Sequence, residues 1–297
     1  MVQQPRILIV SPVRNEGAHI ERVVRAIAAQ TLPPARWIVR DDSSTDDTLA
    51  ILRRLEAEVP FLDVVEAGPP DRSQQRDRLA LAAEVLAFNA ALEQAGDRSG
   101  YTHVMKLDGD IELPPDYFER LTERFAADPS LGLAGCVLDE PQEGGGMKRI
   151  KIAPTHVHGA VKCFTAECFA AIGGLEPRLG WDTIDETYAR MRGFTTASYS
   201  DLVGIHLRPL GSADGTLRGH ARHGECAYIA QYPLWWVALR ALKVGTRTPQ
   251  VLSGVWFFSG YLRSAARRVE RVPDAEYRRF ARLELRRRAL AAVVPHR

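Results

Sequence analysis

Cysteine is scarce in this chain: its 297 residues hold four, Cys136, Cys163, Cys168 and Cys226, and no two are spaced as CxxC. That pattern excludes a disulfide framework and a compact cysteine zinc site. It fits a reducing compartment in which all four are small buried apolar residues. Long apolar runs are missing as well. Residues 7–10 follow Arg6 and are stopped by Ser11-Pro12, and no stretch reaches the ~20 residues that cross a bilayer, so neither a signal peptide nor a membrane span is expected and the chain reads as cytoplasmic. Net charge is small, formally +2. No long basic run interleaved with aromatics precedes the C-terminal part, which excludes a dedicated nucleic-acid binder. Internal repeats and low-complexity segments are also lacking. What is present, 45% hydrophobic and 26% charged residues, suffices for one large or two smaller globular domains.

The N-terminal half alternates between strand and helix patterns. Residues 7–10 are continuously apolar, the mark of a strand buried on both faces. Ile20, Val23, Val24 and Ile27 then recur at helical spacing up to Leu32-Pro33-Pro34. Residues 37–39 form a second strand, and Leu49, Leu52 and Leu55 mark a second helix. A third strand follows at 62–65. A long helix within 73–95 carries Leu79, Val85, Leu86 and Leu92, with Asn89 interrupting its apolar face. Such alternation predicts an α/β fold, a mostly parallel sheet flanked by helices, with its ligand site in the loops at the strand C-terminal ends. Three polar loops share that edge, at 11–16, 40–47 and 108–112.

The third loop carries the most chemistry. Residues 104–107 read as a short buried strand that runs into Asp108-Gly109-Asp110. Two carboxylates therefore stand at a strand end with a glycine between them for a sharp turn, and a hard divalent cation, Mg²⁺ or Mn²⁺, prefers such oxygen ligands. An ordinary acidic turn is the plain alternative. For residues 41–47 the plain alternative is a solvated turn in which Ser44 or Thr45 caps the next helix.

Ser11-Pro12-Val13-Arg14-Asn15-Glu16, Asp41-Asp42-Ser43-Ser44-Thr45-Asp46-Asp47-Thr48 and Lys106-Leu107-Asp108-Gly109-Asp110, in this order and spacing, resemble the family 2 nucleotide-sugar glycosyltransferases of the GT-A fold. The resemblance covers roughly the first two-thirds of the chain. It implies a Rossmann-like sheet and an inverting transfer of sugar from a nucleoside diphosphate donor. It carries Asp42 onto contact with the nucleotide base, and Asp108 and Asp110 onto the metal, with Asp110 the direct ligand. Pro12, Arg14, Glu16, Lys106 and Gly109 are the further nucleotide-sugar candidates within these motifs, Ser11 and Pro12 chiefly by shaping the loop. Gly159 and Lys162 resemble a segment that approaches the donor sugar. The chemistry agrees: a departing diphosphate develops charge that a cation held by carboxylates stabilises. UDP, dTDP and GDP donors all stay open, because a carboxylate facing a base N–H does not separate them.

Beyond this, residues 117–125 read as a helix and 131–138 as a strand. The glycine-rich stretch 142–148 reads either as a mobile flap over the substrates or as a loop without a role. His156 and His158, if on a strand, would face one side and permit joint metal binding, with structural or site-lining histidines as the alternative. Residues 180–186 run into a helix that reaches Met191 and is ended by Gly193. The resemblance implies a Glu-Asp pair here, whose aspartate deprotonates the acceptor hydroxyl. Counted back from Gly193, that aspartate is Asp182, with Trp181 in place of the glutamate and Asp185 and Glu186 as further candidates. Asp182 and Asp185 also read as a helix N-cap and its partner. Capping and catalysis are compatible, because a helix N-terminus favours an anionic carboxylate, the form a base requires. Residues 199–205 form a strand that delivers His206 and Arg208 to the same edge. The resemblance implies that His206 joins Asp110 and Asp108 at the metal, and Arg208 is suited to grip a phosphate.

From Gly211 the chain turns helical, aromatic and basic, which divides it into a catalytic domain, 1–210, and a helical C-terminal extension, 211–297. The extension reads either as a surface for an anionic membrane or lipid-linked acceptor, or as an appendage with solvated arginines. The expectation is a metal-dependent (Mn²⁺ or Mg²⁺) hexosyltransferase-type enzyme of bacterial glycan or glycoconjugate synthesis. It would act on a glycan, lipid-linked or small-molecule acceptor, in the cytoplasm or at the inner face of the membrane. A sugar-phosphate nucleotidyltransferase is the enzymatic alternative, although residues 11–17 make a poor phosphate-binding loop. A non-catalytic nucleotide- or glycan-binding module is the alternative from another class.

Overall fold

The apolar run after Arg6 becomes β1 (Ile7–Val13) in the computed structural model, which describes residues 4–68, 82–142, 144–208 and 216–293. Its side chains alternate between two covered faces. Ile7 and Ile9 enter one core, Leu8 and Val10 the other, which is why the run is continuously apolar rather than alternating. The chain continues through α1 (Ile20–Ala28), β2 (Arg36–Asp41), α2 (Thr48–Glu56), β3 (Leu62–Glu66), α3 (Ala83–Glu93), β4 (His103–Leu107), β5 (Ile111–Glu112), α4 (Tyr117–Ala127) and β6 (Leu131–Pro141). It then forms β7 (Met147–Arg149), β8 (Val161–Thr165), α5 (Ala166–Ala171), α6 (Trp181–Met191) and β9 (Thr195–His206). Helices α1, α2 and α4 cover one face; α3, α5 and α6 cover the other.

The sheet has nine strands in the order β3-β2-β1-β4-β8-β6-β9-β5, with β7 on β6. The first four are mutually parallel. The parallel expectation holds there and again where β6 pairs with β9, but β8 between them is antiparallel to both β4 and β6. The chain returns from β6 through β7 and a loop without a crossover helix, and only a crossover would bring β8 back parallel. The sheet is therefore mixed.

Three local expectations change. Part of the helix placed within 73–95, including Leu79, lies outside the described residues. Its described portion is α3, where Val85 and Leu92 are buried, Leu86 is exposed, and Asn89 Nδ2 donates to the Leu175 carbonyl at 3.0 Å. The 142–148 stretch ends inside β7 rather than in a loop, since Lys148 pairs with Glu140 and Met147 with Pro141 of β6. His156 and His158 sit in a loop rather than a strand, their rings 6.3 Å apart. Of the cysteines, Cys136, Cys163 and Cys168 are buried and Cys226 half-buried.

Residues Met1–Leu210 and Gly211–Arg297 are two compact units. The second comprises α7 (Thr216–Ile229), α8 (Leu234–Val244), α9 (Leu252–Ala266) and α10 (Ala275–Val293). Its core gathers Tyr228, Val237, Val244, Phe257 and Tyr261. The Tyr261 hydroxyl donates to the Tyr232 carbonyl at 2.9 Å, and Asp274 Oδ1 accepts from the amides of Glu276 and Tyr277 at the start of α10. No helix among the described residues is long and apolar enough to cross a membrane.

Gly135 on β6 shows how tightly the mixed half of the sheet closes. A Cβ there would collide with the Val161 carbonyl oxygen and lie 2.6 Å from Val157 Cγ1. Gly135→Ala should lower stability by about 1–3 kcal/mol in urea denaturation, the cost of overpacking a closed core. Gly100→Ala, in open space, should change it little.

Candidate functional site

The first two of the three loops expected at one edge are stitched to each other by hydrogen bonds. The Asn15 amide donates to Ser44 Oγ at 2.9 Å, and Asn15 Oδ1 accepts from the Thr45 amide at 2.8 Å. The Glu16 amide donates to Thr48 Oγ1, and the Gly17 amide to Asp46 Oδ2. Asp46 Oδ1 also accepts from the Thr48 amide at 3.1 Å, so Asp46, not Ser44 or Thr45, serves the start of α2. Pro12 lies within β1 opposite Arg40, and the Asp42 amide donates to the Val13 carbonyl at 2.8 Å, so half-buried Asp42 follows β2 directly. Arg14 Nη1 is buried without a hydrogen-bond partner.

Gly109 sits in the turn between β4 and β5 for want of space. A Cβ would lie 2.7 Å from Val13 Cγ1 and 3.3 Å from Glu16 Cγ, so the absence of a side chain lets the acidic turn press against the loop after β1. The turn then pairs with the end of β9: Ile111 lies opposite His206, and the Leu207 amide donates to the Asp110 carbonyl at 2.9 Å. That register brings together residues nearly a hundred positions apart. Asp110 Oδ2 lies 3.2 Å from His206 Nε2 and 2.9 Å from an Arg208 guanidinium nitrogen, which also bonds Glu16.

Each charge in this group shifts the others. Burial followed by the Asp110 charge pushes Glu16 up to about 7, against the pull of Arg208. Burial works to raise Asp110, but the hydrogen bond and charge of His206, with Arg208, hold it below its ordinary value. Burial works to lower His206, and Asp110 outweighs it, so the imidazole lies above its ordinary value. Asp110 and His206 suit a divalent cation: neighbouring ligands on a six-coordinate ion with bonds of about 2.1 Å stand roughly 3 Å apart. Asp108 does not join them as expected. Its carboxylate turns to the Lys106 ammonium at 2.5 Å, and among the described residues no set of three His, Cys, Asp or Glu converges to hold a metal.

Lys106 is not a ligand-facing residue either. It stands opposite Lys162 in the β4–β8 pairing, and both side chains are completely buried. Two facing ammonium groups in a sheet repel, and carboxylates surround them. Lys106 meets Asp108 and the Gly159 carbonyl, with Glu84 at 3.7 Å. Lys162 meets both oxygens of Asp185 at 2.7 and 2.9 Å, and Glu186 at 3.5 Å. Both ammonium groups lie against the Trp181 ring, 5.1 and 5.4 Å from its centroid. Lys162 thus serves α6 rather than the approach to a donor sugar.

This network separates the α6 acids. Asp185 and Glu186 are buried, and burial holds the Asp185 carboxyl above the usual carboxylate range even beside Lys162. The cap expectation is corrected too, because Gly180 is the N-cap, no side chain caps the helix, and Asp185 bonds the Glu186 amide. Asp182 lies in the first turn, half-buried, and its carbonyl accepts from Lys162 at 2.5 Å. A Cβ on Gly159 would lie 3.1 Å from Trp181 and 3.4 Å from Asp182 Cβ, so Gly159 lets its loop reach the α6 start.

Sequence reasoning assigned no place here to Glu84, which accepts from Trp181 Nε1 at 2.8 Å. It also left His156 and His158 as generic. His156 Nδ1 pairs with Glu186 at 2.9 Å; burial works to lower this histidine, but Glu186 holds it above its ordinary value. Burial pushes His158 down to about 4, with His156 and His206 acting in the same direction and Asp182 against them. His156 is thus paired with Glu186, while His158 Nε2 is buried without a hydrogen-bond partner. The only local signal for them was their two-residue spacing, which suggested a joint role instead.

A family model described as glycosyl transferase family 2 matches residues 8–173, more than half of the chain. The succinoglycan biosynthesis protein ExoA of Rhizobium meliloti is 36% identical over 120 residues, 39% of this chain and 31% of that protein. The beta-monoglucosyldiacylglycerol synthase of Synechocystis sp. is 33% identical over 135 residues, 44% of this chain and 25% of that one. The matched segment thus spans about a third or less of either relative. Among solved structures, the mannosyltransferase PcManGT from Pyrobaculum calidifontis, in complex with GDP-Man and Mn²⁺, superposes with a TM-score of 0.57 at 20% identity, covering 98% of this chain and 81% of that one.

Removing the Lys162 ammonium leaves Asp185 buried without its counter-ion. Lys162→Met should cost about 3–5 kcal/mol at pH 8. Because Asp185 titrates higher in the fold than in the unfolded chain, the folded state holds the extra proton as pH falls, so the loss should shrink toward pH 5.5. Urea denaturation at both pH values measures it, and equal losses would show that the Asp185 charge is not what Lys162 balances.

Proposed function

Because this chain belongs to glycosyl transferase family 2, with its GT-A fold, we propose that it transfers a sugar from a nucleoside diphosphate to an acceptor hydroxyl with inversion at the anomeric carbon. The observation that carries this reading is the Asp110–His206 pair, 3.2 Å apart where β5 pairs with the end of β9. Asp110 and His206 would hold a divalent cation, Mn²⁺ or Mg²⁺, which when bound supplies positive charge to the departing diphosphate. Asp42, following β2, would face the nucleotide base. Arg208 already neutralises Glu16 and Asp110, and its half-exposed guanidinium offers donors that suit phosphate oxygens. Arg14, with its unpartnered Nη1, offers another.

Asp182 is the base in this reading. Among the α6 acids its side chain alone is not consumed by the buried lysine network, and its backbone is fixed by Lys162 where Gly159 leaves room for the α6 start. It would take the acceptor proton as the hydroxyl attacks in a single displacement. The role of Asp108 is to answer Lys106 and set the turn that presents Asp110. The acceptor class, glycan, lipid-linked or small molecule, follows from no feature of this edge. A place in bacterial glycan synthesis accords with the relative that carries a succinoglycan biosynthesis name.

Thermal-shift titrations with UDP, dTDP and GDP, with and without Mn²⁺, should show a metal-dependent gain for one base. Asp110→Asn should abolish that gain and His206→Ala reduce it; an undiminished gain in folded Asp110→Asn removes the metal assignment. Asp182→Asn should leave donor affinity nearly unchanged while transfer falls by roughly a hundredfold or more. Asp185→Asn should instead lower thermal stability. If Asp185→Asn abolishes transfer in a folded protein and Asp182→Asn stays active, the base is Asp185. Metal-dependent nucleotide binding without transfer by the intact chain would favour a non-catalytic binding module.

A further inference from the structure

Exposed large apolar side chains are concentrated in one short stretch. Of the thirteen among the described residues, nine lie between positions 234 and 262. On α8 they are Leu234, Trp235, Leu239 and Leu242, the last 74% exposed. Their spacing places them on one side of the helix, opposite Val237 and Val244, which enter the core. Exposed Lys243 flanks that side, while Arg240 lies over the ring of the core residue Phe257. On α9 the outward side carries Leu252, Val255, Trp256 and Leu262, while Phe257, Gly260, Tyr261 and Ser264 face inward. A soluble surface rarely carries this much contiguous hydrocarbon without something to cover it.

The charge identifies what covers it. Residues 211–297 contain sixteen Lys and Arg against six Asp and Glu, formally +10, whereas residues 1–210 are formally −8. Arg263, Arg267 and Arg268 stand exposed toward the end of α9. A second copy docked through the same side would bring two strongly cationic units together. An anionic bilayer accepts both features, since it buries the apolar side at the acyl boundary and pairs the basic border with lipid phosphates. Neither helix is long and apolar enough to cross.

A cleft of about 250 Å³ adjoins the exposed side. It is lined by Tyr232, Leu234, Trp235 and Tyr261 together with Arg282 and Arg286, one turn apart on α10. Two guanidinium groups at the mouth of an aromatic cleft that shares Leu234 and Trp235 with the apolar side suit a phosphate at the depth of lipid headgroups. We propose that the outward sides of α8 and α9 dock this chain onto an anionic phospholipid surface, with the Arg282–Arg286 cleft receiving a headgroup phosphate. This goes beyond the glycosyl-transfer reading and stands or falls without it.

The intact chain should float with vesicles of phosphatidylcholine mixed with phosphatidylglycerol and not with phosphatidylcholine alone, and ~0.5 M salt should weaken that binding. Tryptophan emission should shift to the blue as Trp235 and Trp256 leave water. Leu242→Glu with Val255→Glu alters only exposed positions, so the thermal transition should persist while vesicle affinity falls roughly tenfold or more. Arg282→Gln with Arg286→Gln should weaken binding several-fold, and unchanged binding would remove the cleft from the proposal. No binding of the intact chain to the mixed vesicles, or full binding by the Leu242→Glu, Val255→Glu variant, would overturn it. So would a dimer in light scattering that the same variant dissolves, which would assign the surface to a second copy.

Discussion

Two ammonium groups sealed from solvent, on facing positions of neighbouring strands, constrain the first unit more than any other interaction. Lys106 and Lys162 cannot be buried side by side unless carboxylates neutralise both. Meeting that requirement fixes Asp108 toward Lys106 and draws Asp185 and Glu186 into the interior toward Lys162. The Trp181 ring lies against both cations and anchors the first turn of α6. Asp182, one residue later, inherits its position from this packing and from the bond of its carbonyl to Lys162.

The same constraint divides the acids of the edge into two kinds. Asp108, Asp185 and Glu186 answer buried cations, and exchanging them changes stability before it changes chemistry. Asp110 and Glu16 answer Arg208 and His206, which arrive on the end of β9 and remain partly accessible through the guanidinium. Glu16 is lifted to about 7 chiefly by burial and then by the Asp110 charge, against the pull of Arg208.

The second unit follows a different logic. Its aromatic core is small, and much of its hydrocarbon faces outward on α8 and α9 beside exposed basic residues. The opposite formal charges of the two parts of the chain, −8 and +10, nearly cancel in the total of +2. The whole-chain value therefore concealed the feature that best describes each part.

The sequence by itself determined the alternation of strands and helices, the two-faced burial of β1, and the family, because periodicity and ordered motifs are local properties that survive in one dimension. Asp42, Asp108, Asp110, Asp182, His206 and Arg208 were all visible as candidates on those grounds. Tertiary structure alone decided which way their side chains turn. The antiparallel return of β8 depends on a connection without a crossover, and no residue pattern announces that. The facing of Lys106 and Lys162 is a matter of register between strands more than fifty residues apart, and from it follow the diversion of Asp108 and the burial of Asp185. The meeting of Asp110 with His206 likewise rests on two residues of β5 pairing with the end of β9. Local sequence specifies the chemistry a side chain carries; long-range pairing specifies what that chemistry meets.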